Sequence, residues 1–177
     1  MNYKKMYQSP LGVMWMRSDG QYLTGLWFED SRDSLKHKGE YVEKDLDIFN
    51  QTSLWLDIYF SGKQPDFIPA YRIENLTPFR KQVVDIMNRI PYGEVITYND
   101  IAKEIAKQKG IDKMSAQAVG GAVGWNPICL IIPCHRVIGT NGSLTGYGGG
   151  IQNKIKLLEF EKHDMSKFIV PTKGTAL

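Results

Sequence analysis

Residues 97–126 read TYNDIAKEIAKQKGIDKMSAQAVGGAVGWN, and this stretch decides the fold of the second half of the chain. Thr97 can cap a helix that carries Asp100 in its first turn and ends at Gly110. After a basic turn, Ser115 can cap a second short helix. Two short helices joined by a glycine-containing turn predict a helix-turn-helix.

The second of these helices is almost bare, because it consists largely of alanine and of Gly120, Gly121 and Gly124. Each interior glycine costs about 0.5–1 kcal/mol relative to alanine, so some interaction must compensate the loss. Tight packing against another element is the preferred explanation from sequence alone. Close approach to a nucleic-acid backbone or groove is the alternative.

Further helices are predicted on either side of this motif. The sequence TPFRKQVVDIMNRIPYG at 77–93 predicts a helix capped by Thr77, with Pro78 in its first position and Pro91 and Gly93 as the stop. The sequence IQNKIKLLEFEKH at 151–163 predicts a final helix. Its apolar face consists of Ile151, Ile155 and Leu158, and Glu161 follows one turn beyond.

The first third of the chain reads as strands with turns between them. Segments 4–9, 13–17 and 22–28 predict a small antiparallel sheet, with Asp19-Gly20 as a hairpin signal. A helix over 47–62 can cover that sheet, and the charged stretch 29–44 is predicted to be a loop. An aperiodic connection over 62–75 divides the chain into subdomains 1–75 and 76–177. Because the strands fall in the first subdomain and most helices in the second, the predicted fold class is α+β.

Composition limits the functional classes. The 177 residues carry a net charge of +3, which is compatible with a nucleic-acid partner but too mild to indicate one. Two cysteines five positions apart and three scattered histidines match neither a disulfide framework nor a zinc motif. Because no long apolar run or secretory signal is seen, we expect a cytoplasmic protein with no membrane segment.

The sequence IIPCHRVI at 131–138 places Cys134 beside His135, after Pro133 has ended an apolar run. A cysteine is nucleophilic only as thiolate, so it needs a base nearby, and His135 is the natural candidate. Glu161 could hold the imidazole in one tautomer. A buried cysteine, a core histidine and a surface glutamate explain the pattern equally well. Cys129 belongs to the apolar run and is predicted to be core.

The motif PCHRVIG at 133–139 is accompanied by six others. They are AVGGAVGWNPICLII at 118–132, GSLTGYGGG at 142–150, SPLG at 9–12, TPFRKQV at 77–83, PYGEVITY at 91–98 and KLLEFE at 156–161. Together they resemble the O6-alkylguanine-DNA alkyltransferases over most of the chain. The resemblance implies an N-terminal ribonuclease-H-like subdomain. It also implies a mostly helical, winged-helix-like C-terminal subdomain, whose helix-turn-helix enters the minor groove of double-stranded DNA and flips a nucleotide out.

The resemblance also implies a reaction and roles for residues. Cys134 would take the alkyl group from O6-methylguanine irreversibly in a single turnover, with O4-methylthymine as a second candidate substrate. His135 would act through water as the base, Glu161 would orient it, and Tyr98 would protonate the leaving guanine. The implied DNA and substrate contacts are Gln117, Asn126, Tyr147, Gly148, Gly149 and Lys154. No metal, cofactor or obligate protein partner is implied, and the protein would be a monomer.

Two residues depart from the family pattern. Gln117 stands where the family has an arginine that fills the gap left by the flipped base, so duplex affinity is expected to suffer. Gly148 stands where the human-type pattern has serine, and the pocket is therefore expected to be roomier.

Three other functions would account for part of this pattern. An alkyltransferase-like damage sensor shares the fold but replaces the nucleophilic cysteine, commonly with tryptophan, whereas Cys134 is present here. A cysteine hydrolase would also need Cys and His, but its family signatures are absent. A plain transcription regulator would present several base-reading side chains, and the second helix offers Gln117 and little else.

Overall fold

The structure is a computed structural model that describes residues 1–172. It contains two compact units: residues 1–75 together with 127–131, and residues 76–126 together with 132–172. The division proposed from sequence also runs between residues 75 and 76, but it does not capture the short segment 127–131. Residues 173–177 of the proposed second subdomain lie outside the described part.

The first unit is built on a mixed sheet of strands β1 (Tyr3–Ser9), β2 (Gly12–Ser18), β3 (Leu23–Phe28) and β4 (Val42–Glu43), in the order β3-β2-β1-β4. The first three strands pair antiparallel, as predicted. The prediction of a loop over 29–44 was wrong in part. Arg32–His37 form a 3-10 helix and β4 pairs parallel with β1, a long-range contact of two residues that leaves no local pattern.

One helix, α1 (Asp47–Phe60), belongs to this unit, at the position predicted from sequence. It buries Phe49, Leu56 and Tyr59. The chain leaves the helix through Ser61 and Gly62, and Gly62 adopts a φ of 87°, which favours glycine.

Segment 127–131 adds an edge to β3. The amide of Leu26 donates to the Pro127 carbonyl (3.0 Å), and the Leu26 carbonyl accepts from the Cys129 amide (3.1 Å). The segment is a turn with a single bridge at Ile128, and Leu130 has a φ of 68°. The apolar run before Pro133 is therefore buried, but it is not a continuous strand. Cys129 is buried, as predicted.

The second unit contains helices α2 (Pro78–Met87), α3 (Tyr98–Lys109), α4 (Ala116–Trp125) and α5 (Ile151–Phe160). The predicted caps are present. The Thr77 hydroxyl accepts from the Arg80 amide at 3.2 Å, Thr97 and Asp100 form a capping box, and Gly110 ends α3 with a φ of 65°. Helices α3 and α4 are the predicted helix-turn-helix pair.

Two short strands, β5 (Ile96–Thr97) and β6 (Val137–Ile138), pair in parallel in the same unit. The strand β5 leads directly into α3, and β6 follows the turn that carries Cys134. Buried apolar side chains from all four helices form the core: Val83, Met87, Ile101, Ile105, Val119, Val123, Leu157 and Leu158. Across residues 1–172, no helix is long and apolar enough to cross a membrane.

Candidate active site

Cys134 opens a 3-10 turn, Cys134–Arg136, directly before β6. The Cys134 amide donates to the Ile132 carbonyl (2.8 Å), and the Arg136 amide donates to the Pro133 carbonyl (3.0 Å). The chain therefore turns at the cysteine, so the side chains of Cys134 and His135 need not face apart as adjacent side chains of an extended strand do. Cys134 is 7% exposed.

Asn126 braces this turn from the end of α4. Its buried side-chain Nδ2 donates to the Ile132 carbonyl at 2.9 Å. One carbonyl thus accepts from both Asn126 and Cys134, so the position of the cysteine backbone is tied to the end of the helix-turn-helix. The resemblance placed Asn126 among the DNA and substrate contacts, and in the structure its side chain contacts the backbone beside the cysteine.

Three residues around a buried carboxylate form the centre of the site. His135 Nε2 is hydrogen-bonded to Glu161 Oε2, and Arg136 Nε donates to Glu161 Oε1 at 2.7 Å. The Gly93 amide donates to the same Oε1 at 3.2 Å. Glu161 stands at the C-terminal cap of α5 and is buried, not on the surface. The explanation that assigned Glu161 to the surface was therefore wrong.

The charges of this group favour a neutral His135 beside an ionised Glu161. Burial lowers the pKa of His135, although the neighbouring carboxylate acts in the opposite direction. Burial also works against ionisation of Glu161, but its contacts with His135 and Arg136 lower its pKa to about 2. Because a carboxylate only accepts, Nε2 of His135 carries the proton and Nδ1 is the basic nitrogen.

A buried cation lies close to the cysteine. Lys154 Nζ donates to the carbonyls of Val137 (2.6 Å) and Thr145 (3.1 Å). Burial lowers the pKa of Lys154 to about 8, and the nearby charge of Cys134 works in the opposite direction. A positive charge close to a cysteine favours the thiolate. The resemblance placed Lys154 among the DNA and substrate contacts, and in the structure its ammonium donates to the backbone of the loop that contains Thr145.

Tyr98, the first residue of α3, lies on a cavity of about 490 Å³ in this unit. Its hydroxyl donates to the Thr145 carbonyl at 2.9 Å. Burial, and then the charge of Cys134, raise the pKa of Tyr98, so the phenol keeps its proton. The cavity is lined by Tyr98, Asn99, Ala116, Gln117, Gly120, Gly139, Thr140, Thr145 and Gly146.

The loop residues predicted to wall the pocket lie just before α5. Tyr147 and Gly149 are buried and Gly148 is half-buried. A Cβ at Gly149 would come within 2.7 Å of the Tyr147 ring, so only glycine allows this ring position. The Lys154 ammonium lies 5.9 Å from the centre of the same ring. Gly148 lies between Tyr147 and Gly149, whose positions are constrained by each other.

Gln117 is exposed near the start of α4 and lines the cavity. The structure also tests whether the glycines of the bare helix α4 are there for tight packing. A Cβ at Gly120 would lie 3.9 Å from the Tyr98 ring, but a Cβ at Gly121 or Gly124 would meet no atom within 4 Å. The packing explanation preferred from sequence was therefore wrong for Gly121 and Gly124, which leave an open helix face.

Sequence reasoning missed two parts of the site. Arg136 holds Glu161 and also donates through Nη1 to the Ile90 carbonyl at 2.9 Å. Its position directly after His135 was the available signal. Thr145 acts through its carbonyl, which accepts from both Tyr98 and Lys154. A backbone acceptor carries no residue-type signal.

The site therefore combines a buried cysteine, a carboxylate-bound histidine and a helix-turn-helix pair in one unit. Within the described residues, no group of three or more His, Cys, Asp or Glu side chains is arranged to hold a metal ion. These features define a thiol site attached to a helix-turn-helix of the kind that binds DNA.

Comparison with known proteins identifies the family. Residues 78–163 match the DNA binding domain of 6-O-methylguanine DNA methyltransferases, and residues 2–68 match the ribonuclease-like domain of the same proteins. The chain therefore belongs to the 6-O-methylguanine DNA methyltransferase family. This confirms the predicted family and the α+β fold class with a ribonuclease-like first part.

Individual relatives agree with this assignment. The methylated-DNA–protein-cysteine methyltransferase of Haemophilus influenzae is 36% identical over 160 residues, which are 90% of this chain and 86% of that protein. The Methanosarcina acetivorans protein of the same name is 37% identical over 90% of this chain and 97% of its own length. Among solved structures, Mycobacterium tuberculosis OGT in complex with DNA is 36% identical, has a TM-score of 0.77, and aligns over 94% of each chain.

Proposed function

We propose that this protein repairs alkylated DNA by moving the alkyl group of O6-methylguanine onto Cys134. The supporting observation is the buried contact in which Glu161 holds His135 Nε2, one residue after the cysteine. That contact leaves Nδ1 of His135 as the group able to take the thiol proton. O4-methylthymine is a second candidate substrate of the same chemistry.

The transfer is a single displacement. The Cys134 thiol gives its proton to His135 through an intervening water, and the adjacent Lys154 charge stabilises the thiolate. The sulfur attacks the alkyl carbon, a carbon–sulfur bond forms, and the carbon–oxygen bond to guanine O6 breaks. The product is a thioether on Cys134. Because this thioether is stable, one chain repairs one lesion.

The departing guanine carries the negative charge released by this cleavage and needs a proton. Tyr98 is suited to supply it, because its hydroxyl lies on the cavity and its raised pKa keeps it protonated. In the structure that hydroxyl donates to the Thr145 carbonyl. A bound guanine would compete with this carbonyl for the same proton.

DNA binding is assigned to α3 and α4, with the open glycine face of α4 towards the duplex. A Cβ would meet no atom within 4 Å at Gly121 or Gly124, so a nucleic-acid backbone can approach α4 closely there. The target nucleotide would turn out of the stack into the cavity beside Tyr98, at a cost of a few kcal/mol, which is smaller for a poorly paired base. Gln117, exposed on the rim, would contact the orphaned cytosine.

A damage sensor without transfer chemistry is the alternative function. It is disfavoured because Cys134, the group such a sensor lacks, lies beside a complete histidine–glutamate pair. The named relatives at 36–37% identity are also methyltransferases.

A titration tests the proposal. A duplex with one O6-methylguanine is added in excess to a known amount of protein, and repaired strands are counted by chromatography. We expect a plateau at one repaired strand per chain for wild type and for Cys129→Ser, and no repair by Cys134→Ser. Continued turnover beyond one strand, or equal repair by Cys134→Ser, would contradict the proposal. Lesion-selective binding without repair would identify a sensor.

A further inference from the structure

The loop that forms one wall of the cavity is held by two side chains, those of Tyr98 and Lys154. Thr145 and Gly146 line the cavity. The Thr145 carbonyl accepts from the Tyr98 hydroxyl and the Lys154 ammonium, at 2.9 and 3.1 Å. These contacts fix only the part of the loop that follows Leu144.

The part of the loop before Thr145 is held by the chain that follows α5. The Leu144 amide donates to the Ile169 carbonyl and the Ile169 amide donates to the Gly142 carbonyl, each at 2.8 Å. Ser143 and Ile169 form a parallel bridge. A Cβ at Gly142 would clash with the Lys167 carbonyl, so the two strands of chain approach as closely as glycine permits.

Residues 164–169 are themselves anchored in the second unit. Within the segment, the Asp164 carboxylate accepts from the Ser166 amide at 3.1 Å and from its hydroxyl at 2.6 Å, which fixes the turn that begins it. Met165 and Phe168 pack against a buried cluster of Ile138, Leu144 and Leu158. Leu144 is fully buried and directly precedes Thr145, so this packing acts one residue from the cavity wall.

This segment directly follows the part of the chain that matches the family's DNA binding domain, which ends at residue 163. We propose that residues 164–169 are a clasp that fixes the wall loop and thereby determines how large an alkyl group the cavity accepts. The inference rests on the proposed function. With the clasp in place, the Leu144 amide is hydrogen-bonded to Ile169 and the Leu144 side chain lies in the cluster that Met165 and Phe168 cover. The adjacent cavity wall therefore cannot move outward.

Two variants disrupt the clasp from opposite sides. Gly142→Ala places a methyl group against the Lys167 carbonyl, and Phe168→Ala removes a partly buried aromatic side chain that packs against the buried cluster. Gly62→Ala is the matched control, because Gly62 has a similar φ (87° against 78°) but open space around a Cβ. It carries the same backbone strain without touching the clasp.

The first measurement is hydrogen exchange of the amides of residues 142–149 in the folded full-length chains. We expect exchange at Leu144 to rise at least about tenfold in both clasp variants and to stay unchanged in Gly62→Ala, because the protecting hydrogen bond opens locally. Unchanged exchange at Leu144 in both clasp variants would overturn the clasp.

The second measurement compares the rates of alkyl transfer from duplexes that carry O6-methylguanine or O6-benzylguanine. A looser wall admits the larger group, so the benzyl-to-methyl ratio should rise at least about threefold in the clasp variants only. An unchanged ratio with methyl transfer intact would refute the proposed role in selectivity while leaving the repair function standing. If wild type transfers neither group, the proposed function has failed.

Discussion

The ammonium of Lys154 lies 2.6 Å from the Val137 carbonyl and so ties α5 to the strand that follows the cysteine turn. The same ammonium reaches the Thr145 carbonyl, at 3.1 Å. One buried cation therefore connects the strand after Cys134 with the loop that walls the cavity. Because the ammonium is buried, these carbonyls, the Tyr147 ring and the nearby cysteine take the place of water around its charge.

Lys154→Met is expected to slow methyl transfer about tenfold or more, since the thiolate loses its neighbouring cation.

The pH dependence of the free energy of unfolding should also change in Lys154→Met. Folding lowers the pKa of Lys154 from 10.5 to about 8, so between these values the unfolded chain binds more protons. Stability relative to the Met variant should therefore increase from pH 8 towards pH 10.

Chemical denaturation of both proteins at several pH values measures that difference. Lys156→Met, which alters an exposed lysine of the same helix, is the control and should follow wild type. A constant difference between wild type and Lys154→Met over this pH range would show that Lys154 is not buried as a charge.

Glu161→Gln should slow transfer about 100-fold, because the amide no longer fixes the tautomer of His135 or balances Arg136. Loss of one partner from a buried ion pair also costs about 3–5 kcal/mol of stability. The folded pKa of Glu161, about 2, lies below its ordinary 4.5. Its contribution to stability is therefore complete above pH 4.5 and is lost as the pH falls from 4.5 towards 2.

Thermal denaturation between pH 3 and pH 7 checks this prediction, with exposed Glu159→Gln as the control. Wild type and Glu159→Gln should lose stability more steeply below pH 4.5 than Glu161→Gln does. Parallel curves for all three proteins would show that the Glu161 carboxylate does not stabilise the fold.

Tyr98→Phe removes the proposed proton donor and should slow transfer about 100-fold, with little change in the affinity for lesion-containing duplex. Single-turnover kinetics and a binding titration separate the two effects. Tyr92→Phe is a suitable comparison, because the Tyr92 hydroxyl donates to the Phe160 carbonyl. Equal rates for the two variants would remove Tyr98 from the chemistry.

Gln117→Ala should slow repair of O6-methylguanine in duplex much more than reaction with free O6-benzylguanine. The free base leaves no orphaned cytosine, so only the duplex reaction needs Gln117. Exposed Gln152 of α5 provides a control substitution to alanine. If both substrates slow equally, Gln117 does not stabilise the gap left by the flipped base.

Local signals in the sequence were sufficient to predict the helices. The Thr77, Thr97 and Ser115 caps and the Gly110 stop each depend on residues within one or two turns, and each is present. The strand β4 was missed because its pairing with β1 joins residues about forty positions apart.

The same distinction holds at the site. The PCHR motif predicted the cysteine and its histidine, whereas the contact of His135 with Glu161 spans 26 positions and only the fold could show it. Sequence favoured packing at Gly121 and Gly124 because alanine and glycine are among the residues most often buried, and only the fold shows that this face of α4 is open.

On the proposed mechanism, Cys134 becomes the permanent carrier of the alkyl group. Tandem mass spectrometry of peptides, after reaction with a duplex containing one O6-methylguanine, tests it most directly. We predict one methyl group on Cys134 and none on Cys129 after reaction with the damaged duplex. With undamaged duplex, we predict that neither cysteine is methylated. A methyl group found on any other residue, or repaired DNA with an unmodified Cys134, would contradict the account.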